Sequence, residues 1–136
     1  YWTDGNGSRF EAYDENENNI INNLIELHFL EGNGWIIDHN SDTKERTVLY
    51  YQNVLNPGES VDVTDTLTIN NKIVDYGKKS NDGNSWTWTW IADGMTFMIE
   101  AEADGVQNHN ARAAMKSAWG LTNNDIARLG LQVDTD

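Results

Sequence analysis

The chain has no cysteine and a single proline, and only nine Lys and Arg stand against 22 Asp and Glu. Without cysteine there is no disulfide, which leaves the compartment open, because exported domains with and without disulfides both occur. The formal net charge of −13 argues against nucleic acid and anionic membranes as partners, since both select for Lys and Arg. No apolar run approaches the roughly 20 residues of a membrane helix, so no membrane insertion is expected. The three histidines, His28, His39 and His109, sit in no His-Glu-x-x-His pattern. There is no Gly-x-Ser-x-Gly nucleophile turn and no phosphate-binding loop. A carboxylate pair for glycoside chemistry is a weak signal in so acidic a chain. These absences point away from an enzyme.

What is present is enough for a core. The 136 residues fit one domain, which at this size buries roughly two-thirds of its unfolded surface. Six Trp and 38% hydrophobic residues set the composition apart from disordered chains. The chain starts at Tyr1 rather than Met, which a removed signal peptide or a trimmed terminus would each explain.

The clearest pattern is Trp86-Thr87-Trp88-Thr89-Trp90, followed by Asp93-Gly94 and Met95-Thr96-Phe97-Met98-Ile99-Glu100-Ala101. Period-two alternation predicts strands, and Asp-Gly is a favoured two-residue hairpin loop. This register sets Trp90 opposite Phe97, Trp88 opposite Ile99 and Trp86 opposite Ala101. It assigns the Trp stripe to a core rather than to a sugar-binding platform.

Further strands are predicted around Leu24 to Phe29, with Leu27 and Phe29 alternating against His28, and at Trp35-Ile36-Ile37 after the Gly32-Asn33-Gly34 turn. Others are predicted over residues 47–55, at Val61-Asp62-Val63, at Thr66-Leu67-Thr68-Ile69 and at Ile73-Val74-Asp75-Tyr76. Asn56-Pro57-Gly58-Glu59 ends one of them as a turn. Residues 38–46 and 77–84 are expected to be polar loops. Helix formers fill residues 111–119, with Ala114/Ala118 and Met115/Trp119 spaced i, i+4, Asn108 or Asn110 as cap and Gly120 as stop. A second helical segment is expected from Leu121 to Leu129, capped by Thr122 or Asn123 and stopped by Gly130. Leu131-Gln132-Val133 is expected as a last short strand. Residues 1–19 are acidic and weakly apolar, and are expected to form a loosely held arm. Asp4-Gly5-Asn6-Gly7 through Glu11 superficially suggests a Ca²⁺ loop, but its spacing fails the twelve-residue pattern. No cofactor is therefore expected beyond a weak case for Ca²⁺.

Two segments together carry a family likeness. Tyr50-Tyr51-Gln52-Asn53-Val54-Leu55-Asn56-Pro57-Gly58-Glu59-Ser60 resembles the tyrosine-rich strand and Leu-x-Pro-Gly-Glu turn of the camelysin/TasA-like proteins, which bacteria export through a SipW-type signal peptidase. Ile99 to Gln107, with the later Ala118-Trp119, resembles the penultimate strand and terminal helix of that family, whose usual form is Ala-Glu-Ala-Val-Gln. Here Asp104-Gly105 interposes before Val106-Gln107. Tyr1-Trp2-Thr3-Asp4 resembles the family's mature N-terminus. Residues 38–46 and the acidic stretch 14–19 depart from the pattern.

The resemblance implies an all-β fold, a jelly-roll-like β-sandwich with one or two short helices near the C-terminus. It covers residues 1–136 as one domain, with residues 1–19 as a donor-strand arm. It implies a secreted structural subunit of a cell-surface biofilm-matrix fibre or pilus. Such subunits polymerise head-to-tail as a homo-oligomer by donor-strand complementation, and a minor anchoring or initiating subunit would fit the same scheme. The anchors in the arm would be Tyr1, Trp2, Phe10 and Ala12. Because camelysin is regarded as a cell-surface metalloprotease, the resemblance also carries an enzymatic alternative, for which this chain offers no zinc motif. A secreted carbohydrate-binding module using Trp35 or Trp119 is a third reading.

Overall fold

The computed structural model describes residues 1–4, 6–10, 24–43, 46–70, 77–81, 83–84, 86–90, 94 and 96–133. Nine strands and two helices lie among them. The strands are β1 (Trp2–Thr3), β2 (Arg9–Phe10), β3 (Ile25–Phe29), β4 (Trp35–Ile37), β5 (Leu49–Tyr51), β6 (Thr64–Ile69), β7 (Gly77–Asn81), β8 (Trp86–Trp90) and β9 (Thr96–Phe97). Two helices follow, α1 (Ala111–Trp119) and α2 (Asn123–Arg128). The result is a small β-rich fold with two short helices near the C-terminal end. Its strands form one three-stranded sheet, in the order β2-β1-β9, and three two-stranded pairs, β3-β6, β4-β5 and β7-β8.

The chain divides into two compact units. One comprises Tyr1–His28 and Thr66–Glu100, the other Phe29–Asp65 and Ala101–Asp136. The paired strands β3 and β6 are the two that this division cuts.

Strand β3 follows its sequence pattern. Ile25, Leu27 and Phe29 are half-buried while Glu26 and His28 are exposed, as strand alternation requires. Leu24 just before it is 2% exposed. The Trp-rich strand departs from the hairpin expected of it. β8 pairs antiparallel with β7, setting Trp90 opposite Gly77, Trp88 opposite Lys79 and Trp86 opposite Asn81. β9 pairs instead with β1. The expected loop at 77–84 is thus a strand through Asn81, and the Asp93-Gly94 register is overturned. Two Asp-Gly dipeptides flank the Trp run, at 82–83 and 93–94, and the chain reverses between Asn81 and Trp86. The core assignment of Trp86, Trp88 and Trp90, and the strand expected at Ile73 to Tyr76, lie outside what is described.

The second unit is built on β4, β5 and the helices. Trp35 pairs with Tyr51, Ile36 with Tyr50 and Ile37 with Leu49. The strand expected over 47–55 is confined to Leu49–Tyr51, and the turn at Asn56 to Glu59 closes with Glu59 N–H donating to Asn56 O at 3.0 Å. Val61 to Val63 precede β6 without forming a strand. In α1 the buried positions are Ala111 and Met115, with Ala114 and Trp119 half-buried on the same stripe, whereas Ala118 is exposed. Neither expected asparagine caps α1 by its side chain; Asn110 takes a left-handed backbone and Asn108 contributes its carbonyl to Ala111 N–H. α2 starts on Thr122, whose hydroxyl accepts the Asp125 N–H while the Asp125 carboxylate accepts the Thr122 N–H, a reciprocal capping box.

Ala111, Met115, Leu121, Ile126, Leu129 and Leu131 form the core of this unit, and Ile36, Tyr50 and Val106 pack against it. Burial of a side chain such as Leu129 or Ile126 contributes about 1.5–3 kcal/mol. Gln52 joins the parts. Its N–H donates to Gly34 O at 2.7 Å, its carbonyl accepts Gln132 N–H at 2.8 Å, and its Nε2 donates to Leu129 O at 2.8 Å. Leu131 to Val133 therefore run beside residues 52–54 without forming the expected strand.

Candidate assembly strand

The N-terminal residues are organised by Asp4. One of its carboxylate oxygens, Oδ1, accepts the N–H groups of Asn6 (2.8 Å) and Ser8 (2.9 Å). Its own N–H donates to Ser8 O at 2.9 Å and its carbonyl accepts Gly7 N–H at 3.0 Å. These four bonds make a tight reversal, which lays β2 antiparallel on β1 with Trp2 opposite Phe10 and Thr3 opposite Arg9. The acidic residue that suggested a cation loop is thus engaged by backbone donors. The expectation of a loose arm does not hold for residues 1–4 and 6–10, and residues 11–19 lie outside the described residues.

On its other side β1 joins β9, with Trp2 opposite Phe97 and Thr3 opposite Thr96. Trp2 therefore stands between Phe10 and Phe97 in one row of aromatic positions across the three strands. Tyr1 and Met98 exchange both main-chain bonds, at 3.0 and 2.8 Å. The Tyr1 hydroxyl donates to Glu100 Oε1 at 2.7 Å, and Thr3 Oγ1 donates to Thr96 O at 3.5 Å. Of the four anchors read from the sequence, Tyr1, Trp2 and Phe10 are brought together in this sheet, and Ala12 lies outside the described residues. Phe97 completes the row, opposite Trp2 rather than the expected Trp90.

Each main-chain bond of this kind is worth about 0.5–1.5 kcal/mol net. A few such bonds join this two-residue strand to a partner more than 90 residues away in the chain.

The second unit holds the one buried charged or polar residue among those described, Asp38, at 2% exposed. It lies in the segment 38–46, expected from its composition to be a polar loop. Arg128 Nη1 donates to its Oδ1 at 2.9 Å and Ser41 Oγ to its Oδ2 at 2.7 Å, while Asn40 N–H donates to Oδ1 at 3.2 Å. Burial alone would raise the Asp38 pKa. The bonds from Ser41, Arg128 and Asn40, with the Arg128 charge, outweigh it and hold the carboxyl below its ordinary value. Burial, with the charges of Asp38 and Asp125, raises the Tyr50 phenol. Arg128 Nη2 also reaches Asp125 Oδ1 at 3.2 Å, so one guanidinium ties α2 to the 38–41 turn.

The arrangement latches α2 to the 38–41 turn. Ser41 donates to Asp38, whereas His39 Nδ1 pairs with Asp42 Oδ2 at 3.1 Å, so hydroxyl and imidazole are not relayed. His28, His39 and His109 are all exposed, and among the described residues no three His, Cys, Asp or Glu converge as a metal site. No helix among the described residues is long and apolar enough to cross a membrane.

The two tryptophans considered for sugar binding are half-buried and engaged. Trp35 donates its Nε1–H to Asp62 O at 2.9 Å and packs on Tyr51 with centroids 5.1 Å apart. Trp119 donates to Asp104 Oδ2 at 3.2 Å and packs on Tyr50 at 5.7 Å.

Comparison of the chain with protein-family models, with curated proteins and with solved structures found no match.

Proposed function

We propose that this chain is a non-enzymatic structural subunit of an extracellular biofilm-matrix fibre or pilus. In this reading the strands complete a jelly-roll-like sandwich, and the N-terminal segment of one copy serves as donor strand to the next. The observation that carries the proposal is the placement of β1 between β2 and β9, with Tyr1 and Met98 exchanging two backbone bonds. In a single copy those bonds close the chain on itself. Between copies the same bonds form with the next molecule's β9, so exchange changes few contacts and protein concentration decides the balance. A head-to-tail exchange of this kind does not close and grows into a filament. Export to the cell surface belongs to the same reading and rests on the likeness of residues 50–60, 99–107 and 118–119 to the camelysin/TasA-like proteins. With a net charge of −13, added cations or lower pH should favour assembly by screening or neutralising repulsion between copies.

Deletion of residues 1–12, followed by electron microscopy of the purified protein, tests the proposal. The full chain is expected to form filaments and the deleted chain, still folded by circular dichroism, to remain as discrete particles. Unchanged filaments from the deleted chain would remove the donor role.

A further inference from the structure

The sequence holds two Asn-Gly dipeptides, Asn6-Gly7 and Asn33-Gly34, and the structure treats them differently. Both asparagines are exposed. Gly7 N–H is engaged, donating to Asp4 O at 3.0 Å inside the Asp4 reversal. Gly34 uses its carbonyl, which accepts Gln52 N–H at 2.7 Å, but its N–H has no hydrogen-bond acceptor among the described residues. A backbone nitrogen next to an asparagine is the nucleophile that attacks the side-chain amide, and glycine offers it no Cβ as an obstacle.

We propose that Asn33 is a self-modification site, converted in the folded protein to aspartate and isoaspartate. The Gly34 nitrogen bonds to the Asn33 side-chain amide carbon and gives up its proton. The bond from that carbon to the side-chain nitrogen breaks, and ammonia leaves. The resulting five-membered imide is opened by water at either carbonyl. Opening at one restores the normal main chain with a new carboxylate, and opening at the other passes the main chain through the side-chain methylene. No electrons are exchanged, and water is the only co-reactant.

The position gives the reaction a structural effect. Gly32 N–H donates to Trp35 O and Asn33 N–H to Leu30 O, both at 3.2 Å, and the turn leads directly into β4. An extra main-chain atom at residue 33 shifts Gly34 relative to Gln52. Gln52 in turn holds Leu129 and Gln132. Conversion at Asn33 therefore loosens the β4-β5 pair and its link to the end of α2, in one direction and with time.

The test is peptide mapping by mass spectrometry of the full chain held at mildly alkaline pH and 37 °C, in buffer and in concentrated urea. In urea both asparagines are expected to convert at comparable rates, since both precede glycine. In buffer Asn33 is expected to convert several-fold faster than Asn6, and the converted fraction to show altered Trp35 fluorescence. Asn6 converting as fast as Asn33 in the folded chain, or Asn33 converting in urea but remaining an amide in buffer, would overturn the proposal.

Discussion

Replacing Gly34 by Ala tests how tightly the Gly32-Asn33-Gly34 turn is fitted to β5. Gly34 has φ +95°, and a Cβ built there lies 2.5 Å from Tyr51 Cε2, 3.0 Å from Asn53 Nδ2 and 3.3 Å from Tyr51 Cδ2. Carbon contacts are comfortable at about 3.5–4.0 Å, so the Tyr51 ring must retreat by about 1 Å. The ring cannot do so freely, because it packs on Trp35 at 5.1 Å and 52°. The left-handed backbone costs an L-residue about 1–2 kcal/mol. Overpacking adds about 1–3 kcal/mol, part of it the disturbed aromatic contact. Gly34→Ala should therefore cost about 2–5 kcal/mol in all. Gly32→Ala is the internal control: its φ is +90° and a Cβ there meets nothing within 4 Å, so it should cost only the backbone share of about 1–2 kcal/mol. Both changes restrict the unfolded chain alike, so that effect cancels in the comparison. Urea unfolding followed by circular dichroism measures both, provided the slope is unchanged. Equal midpoints for the two variants would refute the close fit of Gly34 against Tyr51.

Two further outcomes concern the second unit. Asp38→Ala removes a buried acceptor of three donors and should destabilise by about 2–4 kcal/mol, as a shift of the urea midpoint reports. The folded Asp38 pKa is depressed, so its stabilisation is present above the unfolded value, near pH 4, and is lost as pH falls through the folded one. Acid titration should therefore show a steeper loss of stability for the native chain than for Asp38→Asn. Thr122→Ala breaks the capping box and should cost about 1 kcal/mol, seen as a lower melting temperature, with Thr122→Ser restoring most of it.

Much of the helical part was legible because its signals are local. The Ala-rich run from Ala111 to Trp119 and the Thr122 cap act within one turn of chain, and the structure uses them at those positions. The alternation in β3 and the glycine turn before β4 were equally local. Pairing was not. Trp86–Trp90 has a turn dipeptide on each side, and strand preference depends on the partner strand, so nothing local chooses between them. Its actual partner, Gly-Lys-Lys-Ser-Asn, has little strand preference of its own. Asp38 looked like one acid among many because Arg128, the residue that makes it special, lies 90 positions away. In the candidate assembly strand, the aromatic residues of β1 and β2 stood out in the sequence as anchors, but Phe97, the partner of Trp2 on β9, did not, being 95 residues from Trp2.

The central claim is that β1 passes from its own β9 to that of the next copy. The absence of cysteine makes this directly measurable. Thr3 and Thr96 face each other across β1 and β9, two residues on from the doubly bonded Tyr1–Met98 pair. They occupy the same kind of position, where Cα atoms stand about 5.5 Å apart, within disulfide range. The double variant Thr3→Cys, Thr96→Cys is assembled under reducing conditions, oxidised, and run on a denaturing gel without reductant. Strand exchange predicts a ladder of covalent multimers from the filaments and an internally bridged monomer from the dilute protein. Filaments that yield only the internally bridged monomer would contradict the account.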